Sequence, residues 1–396
     1  MRHLLLDLYS KVLKMMSLIF RIKKNIVFSS NTDFCDNSKA LYDYLISEKL
    51  NNDYRFYWIV KNIDNFADFE TDNVNFIHFK TNGFISKLIS EIKINHLLFK
   101  TKYYFFSHTN YSRFIPKKNQ VFYNLTHGTP LKNSTGRHHS MKFSSHVLST
   151  SEFASELRFA TYEDADLSKL RILGFPRNDL LFADLNLDCL DFMNLNDGKI
   201  IIWMPTYRRH KDGTTNDSGR SKKEIDIPIL DTTTSWEQVN ELLNKNGINL
   251  IVKPHPEQDM EFFNVLNLSN IRLITNEDLT NNGVDLYGLL SLTDALITDY
   301  SSVYMDYLLT DNPIGFTIDD LDSYSKNLGF MVEDPIKLLP GDKIRDVNDF
   351  LDFIKNLNEN NDLFLDERNR VKLLFNKYMD GKSSYRIFEG LKAEEK

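Results

Sequence analysis

Cysteine, glycine and long hydrophobic runs are what this chain has least of. Only Cys35 and Cys189 occur in 396 residues, far apart, which argues against a disulfide framework and fits a reducing compartment such as the cytosol. Glycine numbers 15, and neither G-x-G-x-x-G nor G-x-x-x-x-G-K-[ST] occurs, so the dinucleotide and P-loop fingerprints are missing. No run reaches about 18 apolar residues, and no membrane-spanning helix is expected. Positive charge is in deficit too: 48 basic against 55 acidic residues leave a net charge of −7, which disfavours a general nucleic-acid binder. H-E-x-x-H, paired C-x-x-C and G-x-S-x-G are all absent, and His138, His139 and His146 come without a carboxylate cluster. Neither a metal nor another cofactor is expected from this pattern.

What is present describes a globular protein of two-domain size, 42% hydrophobic and 26% charged. The first 24 residues stand apart. Leu4, Leu5, Leu8, Val12, Met15, Leu18 and Ile19 recur at helical spacing, among six basic residues and one acid, Asp7. Two readings are open: a basic amphipathic helix that docks on an anionic membrane surface, or a helix packed on its own domain. Short apolar runs then alternate with amphipathic stretches. Strands are expected at 25–29, 55–60, 102–107, 120–125, 147–150 and 170–173, with helices at 37–50, 82–94 and 152–159 between them. After a polar stretch at 184–197 the pattern restarts, with strands at 199–204, 248–252, 271–275 and 295–298. Beyond Pro340 the chain reads as mostly helical, and 210–231 reads as a mobile excursion. Strand and helix in alternation predict an α/β fold of parallel sheets, in two units that divide near residue 198.

Four polar segments each follow a predicted strand: THGTPLK at 126–132, PTYR at 205–208, KPHP at 253–256 and DYSS at 299–302. Parallel sheets bind ligands at the carboxyl ends of their strands, so four such segments in two units describe a cleft between domains. In the last of them, Asp299, Ser301 and Ser302 lead from a buried strand into a helix, either as a phosphate-holding turn or as an ordinary N-cap. His127 is a candidate proton acceptor near neutral pH, or a structural loop histidine. His255 is held between Pro254 and Pro256, while Lys253 and Arg208 bring positive charge suited to a diphosphate.

With these residues in view, the chain resembles the CDP-glycerol glycerophosphotransferase family, the teichoic acid primases and polymerases of Gram-positive bacteria. The matching pieces are DNSKALYDYL (from Asp36), HGTPLK (from His127), GFPRND (from Gly174), MPTYR (from Met204), KPHP (from Lys253), TDYSSVYMDY (from Thr298) and a segment carrying Asp320, Tyr324, Gly329 and Phe330. Thr126 and Tyr207 stand where the family commonly has tryptophan. The resemblance implies a GT-B fold, two Rossmann-like domains facing a central cleft. It assigns 1–24 to a basic membrane-associating helix, 25–197 to an acceptor-side domain and 198–396 to a CDP-alditol-binding domain with C-terminal helices. It implies transfer of glycerol phosphate or ribitol phosphate from a CDP-alditol to a hydroxyl of a lipid-linked or polymeric teichoic acid acceptor, with release of CMP. His127 then resembles the general base, and His255 the group that grips the diphosphate and assists CMP departure. Gly128, Thr129, Lys132, Arg208, Lys253, Asp299, Ser301, Ser302 and Asp320 match substrate-binding positions. The implied location is peripheral, on the cytoplasmic face of the membrane, and oligomerisation is left open. The competing reading is a GT-B glycosyltransferase that uses a nucleotide-sugar for capsule or cell-wall polysaccharide.

Overall fold

The computed structural model describes residues 2–135, 141–205, 227–254 and 268–394. The chain divides into two compact units, one of residues 1–129, 135–179 and 377–396, the other of 130–134 and 180–376. Each is an α/β unit built on one parallel sheet.

The first unit begins with α1 (Arg2–Leu18), β1 (Asn25–Ser29), α2 (Asp36–Ser47), β2 (Arg55–Val60), β3 (Val74–His78) and α3 (Phe84–Leu98). It continues through β4 (Tyr103–Phe106), β5 (Val121–Asn124), β6 (His146–Ser149), α4 (Glu152–Phe159) and β7 (Leu170–Ile172). Its sheet runs β3-β2-β1-β4-β5-β6-β7, with every neighbouring pair parallel. NIVFS and YYFF are buried along their whole length, as expected of central parallel strands covered on both faces. Alternate residues therefore serve opposite cores. Phe28 stacks between Trp58 and Phe105, at 5.1 and 5.5 Å, under Leu41, Tyr42 and Leu45 of α2. Val27, Ile59 and Tyr104 face the other way, onto Leu13 of α1 and Ile94 and Leu98 of α3. Helix α1 thus packs on its own unit through one face, with Ser10, Leu13 and Ser17 buried, while Leu8, Val12, Met15, Leu18 and Ile19 remain exposed.

The second unit contains β8 (Ile200–Trp203), α5 (Thr233–Asn246), β9 (Asn249–Val252), β10 (Ile271–Leu273), α6 (Asn276–Asn281), α7 (Leu286–Ser291) and β11 (Ala295–Thr298). These are followed by α8 (Val303–Tyr307), β12 (Ile314–Thr317), α9 (Leu321–Asn327), β13 (Asp342–Ile344), α10 (Val347–Asn358) and α11 (Leu365–Phe375). Its sheet runs β10-β9-β8-β11-β12-β13, again all parallel. The last helix, α12 (Ser383–Glu394), returns to the first unit, where Ile387, Phe388 and Leu391 join the α2 side of the core.

Several expectations need correction. Strands β3, β12 and β13 were not anticipated: VNFIH, at a sheet edge, keeps no strict two-residue alternation, and DKI is too short to show a period. The helical reading beyond Pro340 therefore gives way first to an edge strand. The final helix packs with the first unit and not with the domain assigned to 198–396, because its apolar stripe completes the α2 core. Of the expected excursion at 210–231, residues 210–226 lie outside the described residues, and its end is not mobile surface. Ile227, Ile229 and Leu230 are buried in the second core, and the Trp236 indole N–H donates to Leu230 O at 2.9 Å.

Candidate functional site

Both sheets reverse strand order next to their first strand, between β1 and β4 and between β8 and β11. Ligands of open parallel sheets sit outside the carboxyl ends of strands at such points. Among the described residues picked from the sequence, His127, Gly128 and Thr129 follow the carboxyl end of β5, Lys253 that of β9, and Asp299, Ser301 and Ser302 that of β11, which borders the second reversal.

In the first unit, β5 ends at Asn124 and the chain turns through Leu125, Thr126, His127, Gly128 and Thr129. Four successive carbonyls of this turn are held by side chains from elsewhere. The Asn37 amide donates to Leu125 O (3.2 Å) and Thr126 O (3.1 Å). Arg177 Nη1 donates to His127 O (3.1 Å), and Arg158 Nη2 donates to Gly128 O. Thr126 adopts φ +57°, a left-handed conformation that a β-branched residue takes only under constraint. Its N–H is satisfied by the Asn124 side chain at 3.0 Å. Thr129 and Gly128 are buried, whereas His127 is exposed. The loop backbone is thereby fixed and its imidazole is turned outward.

The clamping groups are themselves pinned. Arg177 pairs with Asp36 at 2.6 Å, both largely buried, and the Arg177 N–H donates to Asn37 Oδ1 at 3.2 Å. Arg158 is 5% exposed, and burial pulls its guanidinium below its ordinary range, opposed by Tyr162 and reinforced by Arg177. The GFPRND segment is what brings Arg177 here. Gly174 (φ +84°) lies against Ser383, where a Cβ would come within 2.4 Å of the hydroxyl, and Asp179 accepts the N–H groups of Ser383 and Ser384 at 2.8 Å each. A second histidine, His108, follows β4, and its ring centroid lies 4.4 Å from that of His127. Withdrawal from water pushes the His108 imidazole below its usual range; Asp36 opposes this and Lys61 adds to it.

In the second unit, β11 leads into Asp299, Tyr300, Ser301 and Ser302. Asp299 is fully buried, and its carboxylate accepts the Ser301 N–H at 3.0 Å. Ser302 occupies the N-cap position of α8 without a side-chain capping bond, and the Ser301 and Ser302 hydroxyls make no hydrogen bond among the described residues. Tyr300 carries the loop. Its hydroxyl donates to Asp320 Oδ1 at 3.2 Å, and its ring meets Tyr324 at 4.8 Å and Phe330 at 5.1 Å. Asp320, 6% exposed, therefore supports the serine turn through Tyr300. Residues 130–134 belong to this unit. The Asn133 N–H donates to Gly329 O and the Met331 N–H to Leu131 O, while the Lys132 ammonium lies 5.7 Å over the Tyr324 ring. HGTPLK is thus divided, with His127, Gly128 and Thr129 in one unit and Lys132 in the other. Lys253, just past β9, is buried, with its N–H on Trp203 O at 2.8 Å. Arg208 and His255 lie outside the described residues.

Asp36, Asn37, His108, Arg158 and Arg177 were not singled out from the sequence as site residues. Asp36, Asn37 and Arg177 sit inside matching segments, DNSK and GFPRND, which gave a signal of place without a role.

A family model described as CDP-Glycerol:Poly(glycerophosphate) glycerophosphotransferase matches residues 12–392. A teichoic acid poly(glycerol phosphate) polymerase of Bacillus spizizenii is 26% identical over 373 residues, 86% of this chain and 85% of that protein. The corresponding polymerase of Bacillus subtilis is 25% identical over 90% of this chain, but the match spans only 47% of that longer protein. Among solved structures, the wall teichoic acid polymerase TagF superposes with a TM-score of 0.72 at 22% identity, over 94% of this chain and 90% of that one.

The Arg177–Asp36 pair makes a direct prediction. Arg177→Met leaves a buried carboxylate unpaired and should destabilise the protein by about 3 kcal/mol. Adding Asp36→Asn should restore part of that loss, so that the double variant is less destabilised than the two single effects summed. Urea unfolding of the four proteins in the cycle measures this.

Proposed function

Because the chain belongs to the CDP-glycerol:poly(glycerophosphate) glycerophosphotransferase family, we propose that it moves an alditol phosphate from a CDP-alditol to an acceptor hydroxyl in teichoic acid synthesis. The observation that carries this reading is the His127 turn, its four carbonyls tied down and its imidazole exposed past the end of β5.

On this reading His127 takes the acceptor's hydroxyl proton as that oxygen attacks the phosphorus bearing the alditol. A new P–O bond forms, the bond to the CMP oxygen breaks, and CMP leaves with the electron pair. Such in-line substitution depends chiefly on positioning and charge stabilisation. Lys253, Lys132 and the Ser301 and Ser302 hydroxyls supply cationic and hydrogen-bonding groups for phosphate oxygens, with Gly128 and Thr129 shaping the base's surroundings. His255 and Arg208 take their diphosphate roles from the resemblance alone. The reading calls for no metal cofactor.

The acceptor is proposed to be lipid-linked, which asks for a peripheral site at the cytoplasmic membrane face. Among the described residues no helix is long and apolar enough to cross a membrane. Support for surface docking comes instead from two helices. Alongside the exposed face of α1, α3 leaves Phe84, Ile85, Leu88, Ile89 and Ile92 in water, with Phe84 83% exposed. Exposed apolar residues at helical spacing of this kind suit burial in a lipid interface.

Two measurements test these points. With a lipid-linked acceptor, wild type should release CMP from CDP-glycerol or CDP-ribitol, and His127→Ala should lower turnover about a hundredfold or more with folding preserved. Turnover of a UDP-sugar with neither CDP-alditol consumed would replace this reading with the glycosyltransferase one. In flotation with liposomes, a Phe84→Ser/Ile85→Ser/Ile89→Ser variant should lose most of its bound fraction; undiminished binding would remove α3 from the docking face.

A further inference from the structure

At the opposite edge of the first sheet from His127, the amino ends of β1 and β2 open onto a solvent-accessible cavity of about 770 Å³. Its wall draws on three stretches of chain: Lys23 and Lys24 just before β1, Arg55 at the start of β2, and Lys93, His96 and Lys100 on and after α3. Five permanent cations face one carboxylate, Asp53, on a protein whose overall charge is negative. The stretches are laced together by backbone: the Lys23 N–H donates to Lys100 O at 2.7 Å, and the Arg55 N–H to Lys24 O at 2.9 Å. Two of the side chains also have ring neighbours. The Lys24 ammonium lies 5.6 Å over the Tyr54 ring, and Lys100 Nζ lies 2.7 Å from His96 Nε2 and 5.3 Å over the Phe20 ring. Lys23, Lys24, Arg55 and Lys93 have no carboxylate partner among the described residues.

Exposed lysines ordinarily spread into solvent, where mutual repulsion is smallest. A concave wall that gathers five cations carries a standing electrostatic cost, which a bound anion of matching charge removes. His96 registers that field, because withdrawal from water and then the charges of Lys100 and Lys23 hold its imidazole below the usual range. We propose that this cavity is an anion site for a phosphate ester, separate from the transfer site and built from Lys23, Lys24, Arg55, Lys93 and Lys100. Ammonium and guanidinium groups drawn from three stretches of chain onto one cavity suit a phosphate oxyanion. The ester can reach the cavity as a free soluble phosphate or as the headgroup of an anionic lipid. The two sources share this recognition chemistry, and the proposal does not depend on the transfer activity.

The test uses the full chain, a Lys24→Gln/Lys93→Gln variant, and a Lys326→Gln/Lys355→Gln variant that removes the same charge from exposed positions on the other unit. Glycerol 3-phosphate is titrated by calorimetry, and the His96 ring proton is followed by NMR, with chloride at equal ionic strength as the reference. Liposomes of phosphatidylglycerol in phosphatidylcholine form the second arm. Saturable glycerol 3-phosphate binding, weakened about tenfold or more in the cavity variant alone, assigns a soluble phosphate ester. An accompanying rise of the His96 pKa with phosphate and not with chloride would support the same assignment. No soluble binding, with anionic-liposome binding lost in the cavity variant and kept in the control variant, assigns the lipid headgroup. Equal behaviour of the two variants in both arms overturns the proposal, since net charge alone would then account for any binding.

Discussion

Two buried guanidiniums and one buried amide take the carbonyls of a single loop, and the rest of the first unit is arranged to make that possible. Burying an arginine costs several kcal/mol unless its donors are met. Here Arg177 Nη1 bonds both Asp36 and His127 O, and Arg158 Nη2 bonds Gly128 O, which offsets part of that cost. Asn37 reaches the same loop from the first turn of α2, beside the end of β1. None of these partners is a neighbour in sequence. The parallel sheet brings the carboxyl ends of β1, β4 and β5 to one edge, and α12, seated through Asp179 and Gly174, backs the segment that carries Arg177. The outcome is a strained turn whose four carbonyls are bonded and whose imidazole is exposed, the positioning that the proposed general-base role asks of a scaffold.

The second unit solves a related problem with an aromatic hub. Tyr300 is almost wholly buried in the middle of the turn that follows β11. It is held by Asp320 through its hydroxyl and by Tyr324 and Phe330 through its ring. The neighbouring serines are thereby placed without spending their own hydroxyls. This gives the Asp320–Phe330 segment a physical role that its spacing alone did not suggest.

Much of the framework was legible in the chain itself. Runs such as the IVF of β1, the FYWIV of β2 and IIIW are apolar because both faces of a central parallel strand are buried, and turn-rich stretches separate them. Short edge strands were not legible: DKI has no period, and VNFIH reads equally as a loop. The placement of α12 was hidden for a different reason, since an amphipathic stripe declares that it packs but not on what. The site divides along the same line. His127 and the Asp299–Ser302 turn could be found because they sit directly past apolar strands. Arg158 and Arg177 could not, because their meaning lies in contacts 30 and 50 residues away along the chain. The outward apolar face of α3 was likewise invisible to pattern reading, which cannot tell a stripe that will be covered from one left bare.

The account stands or falls on whether the carbonyl clamp positions His127. Its most direct test is the steady-state rate of CMP release by Arg158→Met, a substitution of similar length that keeps the buried volume filled while removing the bond to Gly128 O. With the fold verified by circular dichroism, kcat should fall by about tenfold or more while KM for the CDP-alditol changes little. An unchanged kcat in a folded Arg158→Met protein would contradict the account, because the loop would then hold its histidine without the clamp.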